Sequence, residues 1–144
     1  LRFSPSAYED LSSFKLFCID TGLLCALSDL DPTIVLEGSK LFTEFKGALT
    51  EQYVAQQLVA QGFEPVYWSA SKGAAEVDFA LSQGPTIVPI EVKAAENLKS
   101  KSLKVACQEF QLERAVRTSL SPYRDEGWLV NVPLWEIDEI ARFI

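Results

Sequence analysis

The sequence contains no histidine and no methionine, and its three cysteines (Cys18, Cys25 and Cys107) show no CxxC spacing. Without imidazole there is no Ser–His or Cys–His nucleophile pair, and the commonest general base is gone. Three scattered thiols cannot close a zinc site of the usual kind, so any metal has to be held by oxygen, as Mg²⁺, Mn²⁺ and Ca²⁺ are. The odd cysteine count, with no basic stretch leading into an apolar core, sets the expectation of a reducing, cytoplasmic location. No apolar run approaches the roughly 20 residues that cross a bilayer, so no membrane is expected. There is no GxxxxGK[ST] phosphate loop either. A chain that begins at Leu1 and lacks methionine is expected to be a fragment of something longer.

What is present suffices for one folded domain. The 144 residues are 48% hydrophobic and 11% aromatic, which excludes intrinsic disorder. A net charge of −7 argues against binding nucleic acid by bulk attraction. The charge is unevenly spread, however. Between Lys93 and Lys104 stand Lys93, Lys99, Lys101 and Lys104 against a single acid, Glu96. Such a patch fits either phosphate contact or a solvated helix face.

The pattern of elements reads as follows. Residues 1–13 are polar and turn-rich, a remnant linker; 14–144 form a single domain. Phe14–Ile19 is apolar enough for a short strand, and Asp20 offers an N-cap to a short helix through Leu27. Ser28–Lys40 is a loop. Thr43–Gly62 is the best helix, capped by Thr43 and ended by Gly62. Pro65–Ser69 is a short strand and Ser71–Ala74 a turn. Ala75–Ser82 and Thr86–Lys93 alternate around Gly84-Pro85, a hairpin signal. An amphipathic helix runs from Asn97 to about Gln111. Arg114–Leu120 and Trp128–Val132 are strands around a turn at Ser121–Gly127. Pro133 starts a last helix with Leu134, Ile137, Ile140 and Ala141 on one face. The order predicts an α/β fold, a mixed central sheet of about four to five strands flanked by helices.

Polar residues break this pattern at two places. In the Thr43–Gly62 helix, Glu51 falls in the middle of the apolar stripe formed by Gly47, Val54, Ala55, Leu58 and Gly62. A carboxylate there is costly unless a cation or several donors meet it. In the hairpin, Glu76, Asp78 and Ala80 share one face, and Val77, Phe79 and Leu81 the other. On the next strand, Val88, Ile90 and Val92 oppose Glu91 and Lys93. With Gly84-Pro85 as the two turn residues, Asp78 faces Glu91 and Glu76 faces Lys93. Like charges directly opposite are unfavourable in a sheet, and a divalent cation between them reverses that sign.

These residues resemble the PD-(D/E)xK superfamily of restriction-endonuclease-like folds: Glu51 on the first long helix, Asp78 on one hairpin strand, Glu91-Val92-Lys93 on the next. The chain is more closely similar to a domain found C-terminal to AAA-type ATPase modules in bacteria and archaea. The similar stretches run in order: Lys15–Leu24 (KLFCIDTGLL), Lys46–Leu58 (KGALTEQYVAQQL), Val66–Phe79, Pro89–Leu103 (PIEVKAAENLKSKSL) and Glu126–Leu134 (EGWLVNVPL). The family's proline before the aspartate is Val77 here.

The resemblance implies a restriction-endonuclease-like core and a metal-dependent nuclease-like activity on nucleic-acid phosphodiesters. Asp78, Glu91 and Glu51, with the Val92 carbonyl, would hold Mg²⁺ or Mn²⁺. Lys93 would orient or deprotonate the attacking water. Lys99, Ser100 and Lys101 would contact backbone phosphates. The implied partners are nucleic acid and the chain's own upstream ATPase and winged-helix domains. Two other readings fit the residues. One is a non-catalytic interaction domain, favoured by the −7 charge, Trp128 and Trp135. The other is a structural ion-pair network of Glu76 with Lys93, and Asp78 with Arg114 or Arg117.

Overall fold

The computed structural model describes residues 10, 12–31, 33–34, 40–70, 75–95 and 99–144. Most of the expected linker, part of the 28–40 loop, the Ser71–Ala74 turn and the Asn97 start of the second long helix lie outside the described residues. The elements are α1 (Thr21–Leu27), α2 (Lys40–Ala60), β1 (Val66–Ser69), β2 (Glu76–Gln83) and β3 (Thr86–Val92), then α3 (Lys101–Phe110), β4 (Ala115–Ser119), β5 (Arg124–Asp125), β6 (Leu129–Pro133) and a 3₁₀ helix over Leu134–Arg142. The architecture is α/β, as its element order predicts. No helix among the described residues is long and apolar enough to cross a membrane.

The helix ends follow local chemistry. Asp20 caps α1 by accepting the Leu23 N–H at 2.7 Å. Helix α2 begins at Lys40, so Thr43 lies inside it rather than capping it. It closes as its composition predicts: Gly62 adopts φ +85°, a conformation costly for any residue with a Cβ, and the Phe63 N–H returns to the Leu58 carbonyl at 3.1 Å.

The sheet has six strands in the order β1-β2-β3-β4-β6-β5, more than the four to five expected. The extra member is β5, two charged residues inside the expected Ser121–Gly127 turn, antiparallel to β6. Strands β1, β2 and β3 are antiparallel, whereas β3, β4 and β6 run parallel. The expected strand Phe14–Ile19 does not join the sheet. At Cys18 its backbone is engaged instead by a side chain, because Gln52 of α2 accepts the Cys18 N–H and donates to the Cys18 carbonyl, both at 2.8 Å.

The β2–β3 hairpin has the expected register, with Phe79 opposite Ile90 and Gln83 opposite Thr86 around Gly84-Pro85. Gly84 supplies the positive φ, +61°, that a two-residue hairpin turn requires at its first position. On its other side β2 departs from simple alternation. Val66 pairs with Ala80 but Trp68 with Val77, so Asp78 and Phe79 together oppose the single residue Tyr67. The bulge turns Val77 away from the face of Phe79 and Leu81, correcting the expected three-residue face.

Two apolar layers result. Val54, Ala55 and Leu58 of α2 pack with Phe79, Leu81, Val88, Ile90, Val116, Val130, Val132, Ile137 and Ile140 on one face of the sheet. On the other, Leu103, Ala106 and Cys107 of α3 pack with Val77, Ala115 and Leu129. The C-terminal element presents Leu134, Ile137, Ile140 and Phe143 to the core, a spacing of three, because it is built of 3₁₀ turns joined at a kink at Glu139. Ala141, expected on the inward face, is therefore exposed.

Candidate active site

Helix α2 carries Glu51 past the bulged end of β2, and a cation from the segment before α1 meets it there. Lys15 Nζ lies 2.8 Å from Glu51 Oε1, 2.7 Å from Glu76 Oε1 and 3.9 Å from Asp78 Oδ1. It also sits 5.3 Å from the centre of the Tyr67 ring, the residue opposite the bulge. Partial burial works against the Lys15 ammonium, but its bonds to Glu51 and Glu76 outweigh that and hold its pKa above the ordinary lysine value. The inward Glu51 thus finds the cation that its place in the apolar stripe demands.

Asp78 and Glu91 meet across the hairpin. Continuing the β2–β3 register by one residue sets Asp78 beside Glu91, and Asp78 Oδ2 accepts the Val92 N–H at 2.7 Å. Burial raises the Asp78 carboxyl, the Val92 N–H lowers it, and the charges of Glu51 and Glu91 raise it against the pull of Lys15; its pKa comes to about 6. Glu91 is only 6% exposed. Lys93 Nζ holds Glu91 Oε1 at 2.7 Å, while the buried Oε2 has no hydrogen-bond partner among the described residues. A buried carboxylate oxygen without a partner is expensive, so a further cation or donor at Oε2 would be stabilising.

The expected pairing of Glu76 with Lys93 does not form: Glu76 is taken by Lys15, and Lys93 turns along its own strand to Glu91. The ion-pair network through Asp78 and the arginines does not form either. Arg114 meets Asp125 at 3.3 Å, and Arg117, two strands from Asp78, lies 3.8 Å from Glu126. Lys99 and Lys101 stand exposed at the start of α3. Ser100, at the N-cap position, does not cap the helix; its Oγ accepts from Arg117 Nη1 at 3.3 Å.

A polar row runs sideways from Glu91. The parallel register places Arg117 beside Glu91 and Asn131 beside Arg117, both 1% exposed. Asn131 Oδ1 accepts from Arg117 Nε at 2.9 Å and Ser119 Oγ at 2.8 Å. Its Nδ2 donates to the Ser121 and Pro122 carbonyls at 3.0 and 2.9 Å. Every bonding position of that amide is used. Burial lowers the Arg117 pKa, and the charges of Glu126 and Glu91 work against that.

The structure therefore brings Glu51, Asp78, Glu91 and Lys93 to one end of the sheet, and links Ser100 to it through Arg117. Only the Val92 N–H, not its carbonyl, was found to touch Asp78. Among the described residues no three carboxylate or thiol groups stand ready to hold one metal ion. Sequence reasoning missed Lys15, Gln52 and Asn131. Polar residues interrupting apolar strands (AVRTS and LVNVP) were the available signal for Asn131; Lys15 carried none beyond its place in the KLFCIDTGLL stretch.

The family model of a domain of unknown function, DUF4143, matches residues 46–137, a span that contains Glu51, Asp78, Glu91 and Lys93. No curated protein and no solved structure matches the chain.

Proposed function

The chain belongs to the DUF4143 family of domains of unknown function, and from that premise we propose that it is a PD-(D/E)xK, restriction-endonuclease-like domain that hydrolyses or binds nucleic-acid phosphodiesters with Mg²⁺ or Mn²⁺. It would act in the cytoplasm as the C-terminal module of an AAA-type ATPase. The observation that carries the reading is the hairpin: Asp78 lies beside a buried Glu91 whose Oε2 has no partner among the described residues, with Lys93 bonded to the same carboxylate.

The donor chemistry fits a hard divalent ion, since Glu51, Asp78 and Glu91 offer oxygen and one buried oxygen has no hydrogen-bond partner among the described residues. Asp78 and Glu91 would hold it, with Glu51 and the Val92 carbonyl completing the set. When bound, such an ion polarises a phosphoryl oxygen and makes water a better nucleophile near neutral pH. Lys93 orients or deprotonates the attacking water and balances charge that develops on the phosphate. Lys99, Ser100 and Lys101 contact phosphates along the strand, where the N-terminus of α3 favours anions. These contacts carry no base readout, so selection among targets falls to the ATPase portion.

Incubation with DNA and with RNA in Mn²⁺ tests the reading. The native chain is expected to cleave and Lys93→Ala to lose cleavage. Failure of both at equal and adequate concentration overturns catalysis.

A second reading, a non-catalytic interaction domain on the same scaffold, is favoured by exposed apolar residues. Leu16 and Ile19 are 86% and 82% exposed, and Trp135 is 58% exposed. This reading expects no divalent binding that depends on Asp78.

A further inference from the structure

The cation among the acidic residues belongs to the chain itself. An ammonium has three donors, and Lys15 places its Nζ within bonding distance of Glu51 and Glu76 and 3.9 Å from Asp78. The carboxylates gathered around it come from two elements, α2 and β2. One positive charge serves three acids, and Glu91 adds a fourth whose field reaches Asp78 and whose Oε2 has no hydrogen-bond partner among the described residues.

The way Lys15 is delivered matters as much as where it ends. The segment from Lys15 to Thr21 runs along α2 and is tied to it at three points: Lys15 to Glu51, the Cys18 backbone to Gln52, and the Thr21 N–H to Gln56 at 3.1 Å. Phe17 rests on Phe79 of the bulge with ring centres 5.6 Å apart. The strap is therefore held by side chains, and the Lys15 stem can withdraw while the sheet keeps its ladder.

We infer that Lys15 is the resident cation of this site, and that a divalent ion gains its carboxylates by displacing the Lys15 ammonium instead of entering a ready-made cluster. The inference rests on the metal reading proposed above. It accounts for the absence, among the described residues, of any carboxylate group already assembled for a metal. A doubly charged ion answers the surplus of acid better than one ammonium does. Glu76, half exposed, turns to water when its partner leaves. Lys15 thereby sets the affinity of the site without being one of its ligands.

Titration of free Mn²⁺, followed by electron paramagnetic resonance, separates the possibilities using the native chain, Asp78→Asn, Lys15→Met, and Lys15→Met combined with Asp78→Asn. Lys15→Met keeps the stem against Tyr67 and is expected to bind Mn²⁺ at least tenfold more tightly than native; the double variant loses that gain. Equal, Asp78-dependent binding by native and Lys15→Met overturns the displacement and leaves the metal reading standing. No Asp78-dependent binding in either overturns both. A second measurement needs no variant: lysine acetylation of the native chain, mapped by mass spectrometry, with Lys104 as the internal reference. Labelling of Lys15 is expected to rise severalfold on adding Mn²⁺, and unchanged labelling at saturating Mn²⁺ overturns the displacement.

Discussion

Two polar regions sit side by side on this sheet, and they are built on opposite terms. At the Asn131 amide every donor and acceptor is used: Arg117, Ser119 and two backbone carbonyls consume it, and Glu126 stands 3.8 Å from the Arg117 guanidinium. Around Asp78, acids outnumber their local cations, one carboxylate oxygen has no hydrogen-bond partner among the described residues, and a carboxyl pKa is pushed up to about 6. A closed network of the first kind specifies one arrangement and contributes to stability. An open one of the second kind costs stability, and such sites are where ligands bind and reactions occur. The difference teaches where to look: the satisfied amide reads as scaffold, and the frustrated carboxylates are the candidate site.

Matched substitutions should therefore have opposite signs. The largest effect is expected from Asn131→Leu, which takes the Oδ1 acceptor from the buried Arg117 Nε and Ser119 Oγ. It should destabilise by roughly 3–5 kcal/mol in urea unfolding. A variant that loses less than 1 kcal/mol would show that the network is decoration.

Asp78→Asn should do the reverse. Asparagine keeps an acceptor for the Val92 N–H and removes the charge between Glu51 and Glu91. The folded carboxyl titrates near 6, above its ordinary 3.8, so between these values the folded state holds a proton that the unfolded chain has released. Native stability accordingly falls as pH rises through that window and then levels off. With chelator present, the variant should match native near pH 4 and exceed it by about 2 kcal/mol at pH 8. A difference independent of pH would remove Asp78 from the strained group.

The smallest effect is expected from Arg114→Ala. Its bond to Asp125 is 3.3 Å long and both side chains are more than two-fifths exposed. The change should be within about 0.5 kcal/mol by thermal melting. A larger loss would extend the scaffold network out to β5.

The hairpin was legible in the sequence because its cause is local. Gly84-Pro85 admits a two-residue turn, and the turn fixes every pair up to Phe79 and Ile90. The bulge was not, since it exists only where β1 lays Tyr67 against Asp78 and Phe79, and nothing within β2 records that partner. Glu51 could be recognised as out of place from helical spacing alone. Its partner could not, because Lys15 lies 36 residues away on a segment that reads as a strand. The inward row of the last helix failed for a different reason: a period of three and a period of 3.6 agree on Ile137 and Ile140 and diverge by Ala141.

The grip of Gln52 on Cys18 has a kinetic consequence. A single amide imitates a neighbouring strand for one residue, so this stretch can detach by giving up side-chain contacts, the two bonds to Gln52 among them, while the six-stranded core remains paired. Its opening is then a local event with its own small free energy, far below that of global unfolding. Amide exchange at Cys18 should be quick and insensitive to core stability, a clock for the strap that runs independently of the rest of the molecule.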